Sequence, residues 1–190
     1  LAMPGTIDPL PSEIACAIRF DADRSHGPYD PAHARLMLRA WIDSERVMNR
    51  FRARFVGKAS PVQLYWGGFD LAAYRFSGRT APPHPGGAPN FPLDVAQESY
   101  THEVTAVGLW FGSRETPTPG YFAYTYPEPD GIAAAALEPE AASWNADGGS
   151  FETSKRVLES PCMLVPPQAI ASLRPISTNG MPGYIMPTAA

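Results

Sequence analysis

Met37, Trp41, Ser44, Met48, Phe51 and Phe55 follow one another at spacings of 4, 3, 4, 3 and 4. That rhythm places them on one face of a helix, apolar except at Ser44. Arg35, Arg39, Arg46 and Arg50 fall on the other side. Asp30 suits the N-cap and Pro31 the first helical position. Gly57 is a natural stop, and Arg52, Arg54 and Lys58 complement the negative end of the helix dipole. The pattern predicts a helix over 31–56.

Beyond Pro61 the period shortens. Segments 62–66, 69–77, 99–111 and 120–126 read as strands. Gly67 and Gly68 form a turn or bulge between the first two, and Pro127 and Pro129 close the last. Between them, 78–93 is a Pro- and Gly-rich loop, long enough to suggest function. Residues 1–30 carry Pro4, Pro9, Pro11 and Pro28 and read as an extended lead-in with a short strand over 13–20. Residues 130–160 are acidic and Ala-rich, with one helical turn expected over 138–143. The expected fold is α+β: a mostly antiparallel sheet of about four strands with one long amphipathic helix packed on it. We expect a single domain over 31–150 and a poorly ordered tail over 151–190. The last thirty residues hold six prolines and a single charge, Arg174.

Composition narrows this picture. A chain of 190 residues is one domain, and 22 prolines with 16 glycines exclude an all-helical bundle. With 44% hydrophobic and 18% charged residues it is neither charge-disordered nor a membrane protein. The apolar run at 131–137 is too short to span a bilayer. A net charge of −4 argues against nucleic acid or an anionic membrane as partner. Residues 31–58 depart from that balance, with seven basic residues against two acids; a solvated arginine face is the plainer reading, a nucleic-acid surface the lesser one. Cys16 and Cys162 lie far apart, and the first twenty residues lack the basic start and apolar stretch of a signal peptide. A cytoplasmic location is expected. The sequence does not indicate an oligomeric state.

Longer motifs carry a resemblance. Residues 51–79, which include Val62-Gln-Leu-Tyr-Trp-Gly-Gly-Phe-Asp70, are followed by Ala81-Pro-Pro-His-Pro-Gly-Gly87, Tyr100-Thr-His-Glu-Val104 and Tyr124-Thr-Tyr-Pro-Glu-Pro129. Together they resemble DUF5996, a bacterial family known only as a domain of unknown function. The likeness begins near Pro11 and fades after about residue 150. It implies no activity. It does imply a further N-terminal portion and a closing amphipathic helix, so this chain reads as a fragment of a larger family domain.

Common catalytic signatures are missing: no GxSxG, no P-loop, no GxGxxG, and His102-Glu103 does not begin a zincin motif. Polar residues set among apolar strand positions remain: Asp70, Arg75, Arg79, His84, His102 and Glu103. Unpaired charges are costly to bury, so such residues are paired or functional. The functional reading places His84 on the loop, near His102 or Glu103, as an acid/base set. Arg75, Arg79, Asp70 and the aromatic Trp66 are then candidates for binding a small anionic molecule beside 78–93. The structural reading pairs Arg75 with Glu103, lets Asp70 cap the glycine turn, and has His84 bond loop backbone. Strand parity puts His102 and Glu103 on opposite faces. Two imidazoles and one carboxylate without close spacing make no metal motif, and nothing names a cofactor. The expected function is binding or turnover of a small anionic molecule; the alternative is a non-catalytic structural or interaction protein.

Overall fold

A computed structural model describes residues 8–14, 16–25, 29–113, 118–135, 142–146 and 149–153. The helix α1 spans Pro31–Ala53. The Asp30 carboxylate accepts from the Ala32 and His33 amides, and Pro31 opens the first turn. The helix ends three residues earlier than the periodicity predicts. The chain leaves it to join the sheet: Ala59 bridges to Arg75, the Ser60 amide donates to the Tyr74 carbonyl, and the Phe76 amide donates to the Lys58 carbonyl. Arg52 Nε reaches back to the Ser60 carbonyl.

Among the described residues six strands form one antiparallel sheet: β1 Gln63–Tyr65, β2 Asp70–Thr80, β3 His102–Trp110, β4 Gly120–Tyr126, β5 Ala142–Asn145 and β6 Ser150–Thr153. Their spatial order is β1-β2-β3-β4-β6-β5. Four strands were expected. The additional β5–β6 hairpin begins within the segment expected to form a helical turn, and β6 runs to Thr153. At its described positions the strand expected over 13–20 is replaced by turns and irregular backbone. A second helix, α2 (Leu93–Ser99), occupies what read as the end of the loop and the first residue of a strand, and buries Ala96. Seven residues are too few for a helical period to stand out. The expected tail lies, from residue 154 onward, outside the described residues. No helix among those described is long and apolar enough to cross a membrane.

One face of the sheet meets α1. Leu71 and Ala73 of β2, Val107 and Leu109 of β3 and Ala123 of β4 close on Ala40, Met48 and Phe51, with Trp41 and Phe111 at the edge. Arg35, Arg39, Arg46 and Arg50 stay exposed, as the pattern requires. Ser44, the polar break in the stripe, is buried and shares a 2.7 Å hydrogen bond with the Tyr121 hydroxyl. Ser44→Ala removes that bond and strands a half-buried phenol. It is expected to cost about 1 kcal/mol, read as a shift in urea midpoint with unchanged slope.

The opposite face carries the even-numbered positions of β2 to β4. Gly108 lies opposite both Ala72 and Phe122. A Cβ there would strike the Phe122 ring, so only glycine lets that ring lie across β3.

Candidate functional site

On the face away from α1 the register sets Tyr74, Ala106 and Tyr124 in one row across three strands. The short Ala106 side chain between two long phenols lets their hydroxyls meet above it. Tyr124 lies 2.7 Å from the Tyr100 hydroxyl and 3.5 Å from that of Tyr74, giving a chain of three. Tyr65 stands edge-on to Tyr74 with ring centroids 5.2 Å apart. Burial pushes the hydroxyls of Tyr74, Tyr100 and Tyr124 upward, so they stay protonated and able to donate at neutral pH.

Segment 81–100 is held against this face. The His84 ring stacks on Tyr100 at 4.5 Å and leans on Tyr126 at 4.8 Å. The Tyr126 hydroxyl donates to the Pro82 carbonyl at 3.0 Å. His84 Nδ1 accepts from the Gly86 amide at 3.0 Å. Burial lowers its pKa, which favours the neutral ring that this acceptor role needs.

Asp70 completes the group. It faces Tyr65 across the β1–β2 ladder, and its half-buried carboxyl is pushed up to about 6, first by burial and then by the charge of Glu13. Glu13 comes from the lead-in. It adopts a left-handed φ of 63°, its amide donates to the Pro89 carbonyl at 2.7 Å, and its carboxylate lies over Gly67 where a Cβ would collide. Asn90, also left-handed at 51°, donates through Nδ2 to the Ile14 carbonyl at 2.9 Å. Two segments far apart in sequence thus meet over the β1–β2 turn, each with a strained residue. Beyond burial, the charge of Glu13 opposes ionisation of Asp70 and Tyr100, and that of Asp70 opposes ionisation of Tyr74 and Tyr100.

The other expected site residues are dispersed. Arg79 is not a free anion receptor: its Nε donates to Glu103 at 2.8 Å, and Ser77 Oγ donates to the same carboxylate at 2.8 Å. Arg79 beside it holds the Glu103 carboxyl below its ordinary range. This corrects the expected Arg75–Glu103 pair, because the ladder sets Arg75 opposite Thr105 and slips between Phe76 and Thr80. Arg75 lies on the α1 face, its guanidinium 3.4 Å from the centre of the Phe51 ring. His102 is exposed and bonded to Thr101. No contact among the described residues joins the two imidazoles. Trp66 is 83% exposed at the β1–β2 turn, 6.2 Å from the Phe69 ring. The described residues form no group of three or more His, Cys, Asp or Glu able to hold a metal.

Glu13 and the tyrosine chain escaped the sequence reading. The chain had a signal in principle: phenols on the same parity of neighbouring strands, separated by alanine. It is visible only once the register is known. Glu13 had none, since its strand-like surroundings hid a left-handed turn.

A family model described as a family of unknown function, DUF5996, matches residues 1–159. No curated protein and no solved structure matches the chain.

Proposed function

The chain belongs to DUF5996, a family of unknown function, and on that footing we propose that it binds a small oxygen-bearing molecule on the tyrosine-lined face, beside the loop that leads to α2. The observation that carries this is Asp70: a half-buried carboxyl, pushed up to about 6 by burial, opposite Tyr65 and on the tyrosine-lined face. Strongly perturbed acids gathered with fixed donors are what binding and proton-transfer sites require. In its protonated form Asp70 donates to a carbonyl or carboxylate oxygen; ionised, it accepts from a hydroxyl. The Tyr124 hydroxyl donates to Tyr74 and so accepts from Tyr100, which leaves the O–H of Tyr74, with that of Tyr65, as a further donor, and His84 braces the wall they stand in.

The structural alternative draws its support from other residues. Arg79, Glu103 and Ser77 satisfy one another, and His84 holds its own loop. We assign those side chains to locking the loop and sheet, and the binding role to Asp70 and the tyrosines. The test is a thermal-shift screen of small sugars, hydroxy acids and keto acids at pH 6, on the parent and on Asp70→Asn. Compounds that raise the parent's melting temperature should have no effect on Asp70→Asn. Hits that stabilise both proteins equally, or a screen without hits, would leave the structural alternative standing.

A further inference from the structure

On the sheet face that packs against α1, a cation stands without a counter-ion among the described residues. Arg75 is half-buried at the C-terminal end of the helix. Its guanidinium carbon lies over the Phe51 ring, with the Phe55 ring centre 5.4 Å away. Nε is buried and has no hydrogen-bond partner. Arg75 makes no hydrogen bond or ion pair with any described residue. The surrounding charges do not compensate it: burial first and then the charge of Arg54 bring its pKa down to about 10, and Lys58 lies over Phe76. Glu103, on the same face of β3 two residues from Thr105, is taken by Arg79 and Ser77.

Stacking on Phe51 satisfies the face of the guanidinium but not its N–H edge. A half-buried cation with free donors carries a desolvation cost that an anion would relieve. Two hydroxyls share its row of the sheet. The ladder places Arg75, Thr105 and Thr125 in one row across β2, β3 and β4, and the two threonine hydroxyls are 3.2 Å apart. Residues directly opposite in antiparallel strands share a face, so Arg75 and the two threonines leave the sheet side by side, on the face that packs against α1.

We propose that this row is an oxyanion site, in which Arg75 grips a carboxylate or phosphate group of a small molecule through its N–H edge, assisted by the hydroxyls of Thr105 and Thr125 and by the charge of Arg54. The fork geometry of arginine suits two-point contact with either group. The site lies on the opposite face of the sheet from Asp70 and does not rest on the reading proposed there.

The test is a titration of the full chain, followed by nitrogen–proton NMR of the arginine side chains, with sodium phosphate and with sodium acetate against sodium chloride at constant ionic strength. The Arg75 Nε–H signal should move and saturate with phosphate, acetate or both, and not with chloride. Tighter saturation by phosphate assigns a phosphate-bearing ligand; tighter saturation by acetate assigns a carboxylate. Arg75→Lys keeps the charge without the fork and, followed through the backbone amide signals of Thr105 and Thr125, should weaken the response at least tenfold. Thr105→Val keeps shape and strand propensity and should weaken it about threefold, which serves if the lysine variant does not fold. Asp70→Asn should leave it unchanged. A signal that does not saturate with either anion, or an equal response to chloride, overturns the proposal. So does undiminished affinity in Thr105→Val together with Arg75→Lys, or in Thr105→Val alone if the lysine variant is unfolded.

Discussion

Phe51→Ala is expected to destabilise the protein by about 3–5 kcal/mol, the usual cost of emptying a buried phenylalanine site. Phe51 is 5% exposed and belongs to the cluster that joins α1 to β2, β3 and β4. Its neighbours there, Met48, Leu71, Ala73 and Val107, sit on a helix and two strands that cannot all move inward to fill the gap. The ring also carries the Arg75 guanidinium, so its loss exposes a cation to a cavity. Phe51→Leu separates the two effects: it keeps most of the buried volume and removes the aromatic face. Its cost should stay below about 2 kcal/mol. Urea unfolding at pH 7 reads both. An alanine variant within about 1 kcal/mol of the parent would mean that α1 does not dock through this face.

Asp70→Asn is expected to stabilise the protein at pH 7 by about 2 kcal/mol. The carboxyl titrates near 6 when folded, against an ordinary value of 3.8. The folded state therefore holds this proton more tightly than the unfolded chain. Stability falls as pH rises from about 4 through 6 and levels off above that. The full difference corresponds to about 3 kcal/mol, and solvent around the partly exposed group reduces it. Asparagine keeps the shape and removes the charge. The gap between variant and parent should be small at pH 4, open between 4 and 6, and stay constant to pH 8. At pH 7 it should appear as about 4–8 °C in melting temperature. A parent that gains stability over the same interval relative to the variant would show that a cation, rather than burial, sets this carboxyl. A residue whose neutralisation stabilises the fold while abolishing ligand binding is the signature of a site kept at the expense of stability.

The helix shows how far periodicity reaches. Asp30, Pro31 and the stripe from Met37 to Phe51 specify α1 locally, because a cap, a preset φ and a 3.6-residue period each act within a few residues. Its end was misplaced because the chain beyond Ala53 is claimed by a distant strand, through Ser60 and Tyr74. Alternation likewise marks β1 to β4 as strands, and β4 has the expected bounds. The β5–β6 hairpin is not legible in this way: both of its four-residue strands lie in the acidic, Ala-rich stretch 130–160, which has no alternation to read.

Strand parity, read from sequence, correctly separated Asp70 from Arg75, since side chains alternate whatever the partner strand is. Partner identity is another matter. Glu103 satisfies Arg79 rather than Arg75 because the β2–β3 register slips near Gly78, and register is a property of two segments that no single segment encodes. The same holds for the three tyrosine hydroxyls that meet over Ala106, for Glu13 brought beside Asp70 by the lead-in, and for the cation left without a counter-ion. Local periods, caps and parity follow from the order of residues. Which buried charge finds a partner, and which keeps a shifted pKa for want of one, is settled only when segments distant in sequence pack together and exclude water from between them.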